Sequence, residues 1–526
     1  MTNSIAEIEQ AKVILVTGSN TTENHPVLGA AIKRAVLQHG AKLILVDPRK
    51  IELAEIAQVW MSPKPGTDMA WINGLIHIII NEGLLKEEYI KARTEGFEEV
   101  QAAVASFTPS FVSSVTGIPE KDLYQAARLY ASDKAAIYYT MGITQHTHGT
   151  DNVKSLANLA MLCGNVGYSG TGVNPLRGQN NVQGACDMGG LPNVFPAYQS
   201  VTDPALVEKM EKAWGVSGLS NQPGLTLMEM TQGALKKEVR GLFIFGENPV
   251  VSDPDTQHLV KALQSLDFLV VQDIFLTETA QLADVVLPGV SFAEKDGTFS
   301  NTERRVQRVR QAIPPQGEAK PDWLIFVDLA NRMGLPSNYE SPEKIFEEIC
   351  SVAPSYAGIS YKRINRVGLQ WPCPTEDHPG TPYLHGEKFT RGLGKFHALA
   401  YQGPKETEDT DYPLVLTTGR VLYQYHTGTM TRKSKGLEEY APECLIEISA
   451  ADAQALKVED GERVKVISRR GDLEAKAKIT DRSPKGTIFI PFHYAEASAN
   501  RLTQTALDPV AKIPELKVCA VRIEKL

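Results

Sequence analysis

Short apolar runs alternate with polar turns in the first part of the chain. Residues 12–17 (KVILVT) predict a buried strand that ends at a polar turn. Pro26 then opens a stretch whose apolar residues have the spacing of one helix face. Residues 42–46 (KLILV) predict a second buried strand, which ends at Asp47. This order predicts a βαβ unit, whose parallel strands leave a ligand crevice at their carboxyl ends.

The same pattern recurs downstream, with strands predicted at 135–139, 241–245 and 268–271, each followed by a polar turn. This repetition indicates one large polar ligand, or two, lying across switch points of the sheets. A nicotinamide dinucleotide with Asp47 on a ribose is one candidate. However, the first turn (GSNTTENHP) has one glycine where that fingerprint requires three. Asp47 as an acid that simply closes a strand is equally open.

After residue 404 the helical stretches give way to short strands separated by Asp, Gly and Pro-Lys-Gly turns. The strands are predicted at 412–417, 445–448, 463–468, 473–479 and 487–490. The whole pattern predicts an α/β protein, with doubly wound, Rossmann-like domains and a C-terminal β-barrel. We predict α/β domains at 1–180 and 181–311, a connecting region at 312–404, and the barrel at 405–526.

Composition excludes several classes of protein. The 526 residues carry a net charge of -8 and no local run of Lys and Arg that would serve nucleic acid binding. No stretch resembles a signal peptide or a membrane span, so we expect a cytoplasmic protein. The six cysteines stand singly, without a C-x-x-C pair. We therefore expect no structural disulfide and no zinc or iron–sulfur cluster held by this chain.

The most unusual stretch is 175–190 (PLRGQNNVQGACDMGG), with one cation, four side-chain amides and four glycines. Glycines allow the backbone to approach a ligand closely, and amides suit the edge of a heteroaromatic ring. Arg177 offers a planar fork for a carboxylate or phosphate. The stretch therefore indicates a polar heterocycle together with an anion. The alternative is a surface Ω-loop that bonds only to itself.

Three motifs carry a resemblance to a known family. They are residues 141–145 (MGITQ), residues 164–167 (GNVG) with 174–189, and residues 293–305 (AEKDGTFSNTERR). Together they closely resemble the catalytic, or alpha, subunit of molybdenum or tungsten formate dehydrogenases. These belong to the bis-molybdopterin guanine dinucleotide oxidoreductases. The resemblance runs along the whole chain, and the string RGQNNVQGACDMG is specific to the formate dehydrogenase type.

The resemblance implies oxidation of formate to carbon dioxide, with two electrons passing to a molybdenum or tungsten bis-pterin site in a crevice between the α/β domains. Arg177 resembles the active-site arginine that holds the substrate carboxylate. Cofactor-binding roles are implied for Gly18, Asn20, Glu23 and Asp47 at one dinucleotide, Met141 and Gln145 at its pterin, Gly178 and Gln179 beside the arginine, Gly246, Asn248, Gln272 and Asp273 at the second dinucleotide, and Arg420, His426, Thr429, Asn500 and Lys517 in the barrel.

Other polar residues are open to a functional or a structural interpretation. His146 and His148 (TQHTHG) suit a proton relay, but structural hydrogen bonding is the commoner role of such a pair. His426 is expected to bind cofactor without taking part in the chemistry. The run from Arg304 to Arg310 is typical of a solvated face, with phosphate binding as the alternative. Cys186 is predicted to be a small buried residue.

Family members also carry an N-terminal cysteine-rich iron–sulfur domain, followed by a cysteine or selenocysteine and a histidine at the metal. None of these is found in this sequence, so no metal ligand is assigned to it. We favour a selenocysteine codon read as a stop; a truncated chain and a split gene are alternatives. We expect that the iron–sulfur cluster lies in that missing part and that an electron-transfer subunit is a partner. The competing functions are a molybdopterin-binding module without catalysis and another molybdopterin oxidoreductase, such as a nitrate reductase.

Overall fold

A parallel five-stranded sheet organises the first of two units into which the chain divides. The computed structural model describes residues 1–526. The first unit comprises residues 1–178, 251–257 and 383–526, and the second comprises residues 179–250 and 258–382. None of the helices is both long and apolar enough to span a bilayer.

The sheet of the first unit contains β1 (Val13–Thr17), β2 (Lys42–Val46), β3 (Val59–Met61), β4 (Ala135–Tyr139) and β5 (Gly172–Pro175). Its order is β3-β2-β1-β4-β5, and all neighbours are parallel. The order reverses between β1 and β4, which is the switch point where doubly wound sheets bind ligands. The predicted doubly wound fold is therefore confirmed.

The chain's helices are α1 (Thr21–Asn24), α2 (Pro26–Leu37), α3 (Asp68–Asn81), α4 (Glu87–Arg93), α5 (Phe97–Val104), α6 (Pro109–Thr116), α7 (Glu120–Tyr130), α8 (Met141–Thr144), α9 (Gly149–Leu162), α10 (Val182–Asp187), α11 (Pro204–Trp214), α12 (Leu227–Leu235), α13 (Pro249–Ser252), α14 (Thr256–Gln264), α15 (Asp322–Arg332), α16 (Pro342–Val352), α17 (Lys435–Tyr440) and α18 (Ala450–Leu456).

Two apolar cores cover the two faces of the five-stranded sheet. Val13 and Leu15 of β1 pack into one core with α3, α7 and α9. Ile14 and Val16 pack into the other core with α2. Because side chains alternate along a strand, a strand buried on both faces is apolar throughout. This explains the unbroken apolar runs from which these strands were predicted.

In the second unit, β6 (Gly241–Phe245), β7 (Phe268–Asp273) and β8 (Val285–Pro288) form a parallel sheet with β7 in the middle. The strands β9 (Gly297–Ser300) and β10 (Arg305–Val309) form an antiparallel hairpin. The stretch 312–404, predicted as a connecting region, contains α15 and α16. It also supplies most of a buried cluster that includes Phe346, Tyr356 and Cys373.

The C-terminal part of the first unit is a closed six-stranded barrel, as predicted. Its strands are β11 (Leu414–Gly419), β12 (Leu445–Ile448), β13 (Arg463–Ile467), β14 (Asp472–Ile479), β15 (Thr487–Pro491) and β16 (Cys519–Lys525), in the order β11-β15-β12-β14-β13-β16. The sixth strand, β16, was not predicted. Side chains such as Leu416, Ile446 and Val521 are fully buried in the interior of the barrel.

Candidate functional site

Two glycines bring the turns after β1 and β4 together at the switch point. Gly18 has φ +53°, and a Cβ on Gly142 would lie 2.5 Å from the Cα of Gly18. The hydroxyl of Thr140 donates to the carbonyl of Gly18 at 2.6 Å. No side chain fits between these backbones, so both positions require glycine. The contact fixes Met141, predicted at the pterin, beside the end of β1.

The turn after β1 holds a group of buried polar atoms that have no hydrogen-bond partner in the protein. They are the hydroxyls of Thr17, Ser19 and Thr21 and the amide nitrogen of Asn20. Each such atom costs roughly 1–3 kcal/mol when it is left unsatisfied. The group therefore fits a polar ligand at this edge. Of the four, the sequence predicted only Asn20, because short hydroxyl residues in a turn give no distinctive pattern.

Two predicted acidic residues lie at the same edge. Asp47 is 8% exposed, and its carboxylate accepts from the backbone N–H of Arg49 at 2.9 Å. Burial raises the pKa of Asp47 to about 6. Glu23 is paired with Arg482 at 2.6 Å. A buried carboxylate with a raised pKa is stabilised by a ligand that donates hydrogen bonds to it.

The backbone around Arg177 is held from two directions. Arg177 follows β5 and is half-buried, and its carbonyl accepts from Nε2 of His25 at 2.7 Å. Burial lowers the pKa of His25, so its imidazole is neutral at pH 7 and donates through Nε2–H. The carbonyl of Gly178 accepts from Nη1 of Arg420 at 2.9 Å. A Cβ on Gly178 would lie 2.7 Å from Nη2 of Arg420, so the guanidinium would have to shift to make room for a side chain there.

Three predicted barrel residues are ionisable groups whose charged forms are disfavoured. Burial lowers the pKa of Lys517 to about 7, and its ammonium donates to the carbonyl of Thr418 at 2.8 Å. Burial also lowers the pKa of Arg420. Burial and the charge of Arg420 lower the pKa of His426 to about 4, so this ring is neutral. Lys517 lies within electrostatic reach of both Arg420 and Asp47. Desolvated cations of this kind fit an anionic ligand.

Two other barrel residues make contacts within the protein. The hydroxyls of Thr427 and Thr429 are hydrogen-bonded at 2.8 Å. The amide of Asn500 donates to the carbonyls of Val251 and Ser252 at 2.8 and 2.9 Å. Since both donor bonds of Asn500 go to backbone carbonyls, its observed role is to anchor that segment.

The predicted residues of the second unit lie at the carboxyl ends of β6 and β7. The N–H of Gly246, a residue with φ +64°, donates to the carbonyl of Gln272 at 2.8 Å. The amide of Gln272 donates to Asp322 at 2.9 Å, while its buried oxygen has no partner. Burial raises the pKa of Asp273. Asn248 is used within the unit, where it bonds Glu278 and Thr279.

Some side chains of the polar stretch 175–190 form hydrogen bonds within the protein. Gln179 begins the second unit and is half-buried. Asp187, fully buried, accepts from the indole N–H of Trp371 at 2.7 Å, the hydroxyl of Tyr356 at 2.5 Å and the amide of Gln183 at 2.7 Å. Cys186 is half-buried rather than buried. At least one amide of this stretch, that of Gln183, therefore has a structural role. The sequence alone did not separate such structural amides from those that could bind a ligand.

Arg304 and Arg308 of the basic run do not lie on a solvated face, whereas Arg310 is exposed. Arg304 is 2% exposed, and its guanidinium donates to the carbonyls of Trp371 and Thr381. Arg308 lies 3.7 Å from the ring centre of Tyr361 and pairs with Asp296. Both arginines join distant segments of the second unit, so the solvated-face interpretation is wrong for them.

Comparison with protein families gives two matches. Residues 1–332 match the molybdopterin oxidoreductase family, and residues 414–520 match the molydopterin dinucleotide binding domain. No group of three or more His, Cys, Asp or Glu side chains is arranged to hold a metal ion.

Similar proteins extend these matches over the whole chain. The F420-dependent formate dehydrogenase subunit alpha of Methanocaldococcus jannaschii is 53% identical over an alignment of 531 positions, which covers 100% of this chain and 78% of that protein. Formate dehydrogenase H of Escherichia coli is 40% identical, over 100% of this chain and 74% of its own length. The solved structure of acetylene hydratase from Pelobacter acetylenicus has the same fold, with a TM-score of 0.79 and 22% identity over 100% of this chain and 79% of that one.

Proposed function

This chain belongs to the molybdopterin oxidoreductase family, among the formate dehydrogenase alpha subunits, and on that premise we propose that it oxidises formate to carbon dioxide. The observation that carries the proposal is Arg177, within the string RGQNNVQGACDMG, with the carbonyls of residues 177 and 178 held by His25 and Arg420. Because these two hydrogen bonds hold the backbone of residues 177 and 178, the Arg177 side chain extends from a fixed position.

Arg177 would orient the substrate. Its guanidinium fork forms two parallel hydrogen bonds to a carboxylate, which fix the plane of formate as well as its position. A lysine in the same place would fix only position. The neutral rings of His25 and His426 leave the positive charge of this region on Arg177 and Arg420, which favours an anionic substrate.

We propose that the cofactor is a bis-molybdopterin guanine dinucleotide with molybdenum or tungsten. When bound, this group supplies the acceptor for two electrons. In the first unit, the unpartnered polar atoms of residues 17–21 and the buried cations of the barrel suit a dinucleotide with its phosphates. In the second unit, the turns after β6 and β7 supply a matching polar edge for the other dinucleotide.

We propose the individual roles from the similarity to formate dehydrogenases together with these edges. Gly18 and Gly142 keep the turns after β1 and β4 close together. Asp47 accepts hydrogen bonds from the dinucleotide, and Lys517 forms ion pairs with its phosphates. The remaining assignments are Asn20 and Glu23 at the first dinucleotide, Met141 and Gln145 at the pterin, Gly178 and Gln179 beside it, Gly246, Asn248, Gln272 and Asp273 at the second dinucleotide, and Arg420, His426, Thr429 and Asn500 in the barrel. We also propose domains at 1–180, 181–311 and 405–526, with 312–404 as the connection before the barrel.

The electrons must leave through a partner. The Methanocaldococcus jannaschii protein is named as an alpha subunit, which supports a separate subunit as electron acceptor. The six cysteines stand singly in the sequence, without a C-x-x-C pair, so we propose that any iron–sulfur cluster is held by residues outside this chain. A cytoplasmic location stays a prediction.

The test is to purify the full chain from a host that makes the guanine dinucleotide cofactor. Guanosine monophosphate released on mild acid hydrolysis should amount to two per chain for the bis form. Formate oxidation is then measured with an artificial electron acceptor, alone and after adding a polypeptide with the cysteine-rich segment. Full occupancy with no formate oxidation in either case would favour the module without catalysis. Activity with nitrate in place of formate would favour the nitrate reductase alternative.

A further inference from the structure

His146 is a buried histidine that faces two carboxylates from distant parts of the first unit. It is 2% exposed, and its Nε2 lies 2.8 Å from the carbonyl oxygen of Gly142. The same nitrogen lies 3.6 Å from a carboxylate oxygen of Asp68, at the start of α3. Its Nδ1 lies 3.7 Å from a carboxylate oxygen of Glu515. The ring therefore lies between two negative groups. Its hydrogen bond to Gly142 also links the end of α8 to the start of the same helix.

Glu515 is the point at which three chain segments meet. Its side chain is fully buried. One carboxylate oxygen accepts from the N–H of Thr147 at 3.3 Å, and the other accepts from the N–H of Lys405 at 3.0 Å and the amide of Gln504 at 2.8 Å. Glu515 thus joins the connector after α8, the chain entering the barrel, and the C-terminal segment that includes Lys517.

The charges around His146 favour its protonated form. Burial alone would lower the pKa of His146, but Glu515 and Asp68 hold it above its ordinary value. Burial alone would raise the pKa of Glu515, but His146 and the backbone donors hold it below its ordinary value. The stacked ring of His148, with its centre 5.6 Å away, has a pKa lowered by burial and by the charge of His146. Asp151 on α9 is the remaining charged group facing this pair of histidines.

We propose that His146 is a positioning residue, which holds the Met141–Gln145 turn against the C-terminal segment of Lys517 through its contact with Glu515. The role rests on the proposed function, because both segments are there assigned to the cofactor. As an imidazolium, His146 donates through Nε2–H to Gly142 and directs its Nδ1–H toward Glu515. The pterin-facing turn and the barrel segment are then joined by one buried charge pair.

This arrangement is sensitive to pH in a defined direction. A histidine whose pKa is raised on folding stabilises the fold below its unfolded pKa, and this contribution is lost as the pH rises through the folded pKa. Above that pH the neutral ring still bonds Gly142, but Asp68 and Glu515 face each other without a cation between them. The two segments should then loosen together.

The test is hydrogen–deuterium exchange of the full chain without cofactor, at about pH 5.5 and about pH 8.5, on either side of the ordinary pKa of histidine. In His146→Gln, peptides covering 141–147 and 513–519 should exchange faster by about tenfold at the lower pH, since a buried charged hydrogen bond is lost. The excess should shrink at the higher pH. His39→Gln is the matched control, because His39 is an exposed histidine paired with Glu9.

Two results would overturn the proposal. One is unchanged exchange of these peptides, and the other is an equal increase at both pH values, which indicates packing without a charge. If His146→Gln does not fold, the wild-type protein decides the matter: after division by the intrinsic exchange rate at each pH, the protection of both peptides must fall together as the pH rises, and unchanged protection would overturn the proposal. If exchange is as expected but the chain binds no pterin, the proposed function fails and the contact between the segments stands. A fall in the rate of formate oxidation with unchanged exchange would indicate a proton relay instead.

Discussion

Arg420 donates a hydrogen bond to the carbonyl of Gly178, which lies 242 residues earlier in the chain, next to the proposed substrate-binding Arg177. The barrel therefore helps to set the backbone from which the substrate arginine extends. This relationship makes position 178 a sensitive test of the site.

Gly178→Ala should lower kcat/KM for formate by about tenfold, because small displacements of a substrate-orienting group are costly. The new methyl group would lie 2.7 Å from the Arg420 guanidinium, which must move away. Steady-state kinetics with an artificial acceptor measures the effect. Gly436→Ala is the control, because a Cβ at Gly436 meets no atom within 4 Å. Equal activity of both variants would contradict the role of the Arg420 contact.

Arg177→Lys keeps the positive charge and removes the planar fork. We expect kcat/KM for formate to fall by about tenfold to a hundredfold, with cofactor content unchanged. Released guanosine monophosphate and kinetics on the same sample separate the two effects. The control is Arg128→Lys, a conservative change at an exposed arginine paired with Glu82. Loss of cofactor along with activity would place Arg177 at the cofactor instead of at the substrate.

Asp47, Arg49 and the barrel are linked by a buried ion pair whose loss should be costly. Arg49 and Glu447 have side chains 7% and 6% exposed and are paired at 2.7 Å, and the guanidinium of Arg49 lies 3.5 Å from the ring centre of Phe489. Glu447→Gln should destabilise the protein by roughly 3–5 kcal/mol, because it leaves a buried charge without its partner. Urea unfolding followed by circular dichroism is the measurement.

Two further variants test whether the unpaired charge causes the loss of stability in Glu447→Gln. Glu87→Gln removes an exposed helix-surface pair with Lys91 and should leave the unfolding transition almost unchanged. The double variant Arg49→Met, Glu447→Leu should recover much of the stability, since it removes both charges of the pair and leaves Arg482 paired with Glu23. A double variant as unstable as Glu447→Gln would mean that packing on Phe489 matters more than the ion pair.

The lowered pKa of Lys517 leads us to expect an unusual dependence of the protein's stability on pH. Burial lowers its folded pKa to about 7, below that of an unfolded lysine. Above pH 7, the folded state has released a proton that the unfolded state retains, so the contribution of Lys517 to stability should rise as the pH increases. The difference in urea midpoint between wild type and Lys517→Met, measured without cofactor from pH 7 to 10, isolates it. A bound anion restores the charged ammonium, so the slope should flatten in the loaded protein.

Sequence predicted the parts of the fold that depend on local pattern. The strands at 42–46, 135–139, 241–245 and 445–448 have the predicted bounds, because each is a short, mostly apolar run with polar residues after it. The runs at 42–46 and 135–139 are almost wholly buried in the parallel sheet, which explains their continuous apolar character. The barrel was predicted from the same reasoning, but β16 (CAVRIEK) was missed because no comparable turn sets it apart.

Sequence could not predict contacts made by residues far apart in the chain. Asp187 lies within a string that resembles a ligand-binding motif, yet its partners Tyr356 and Trp371 lie about 170 and 180 residues later. Helix α16 was missed within 312–404 because prolines were taken as interruptions, whereas Pro342 occupies the first turn, where proline is favoured.

The contact of Gly18 with Gly142 has a consequence for how this family can vary. The two turns belong to separate βα units, yet their backbones meet with no room for a side chain. A side chain in either turn would therefore displace the other turn, so positions 18 and 142 should both remain glycine. Variation in ligand preference is instead expected at neighbouring positions, such as Ser19 and Met141, where side chains can be exchanged without separating the two turns.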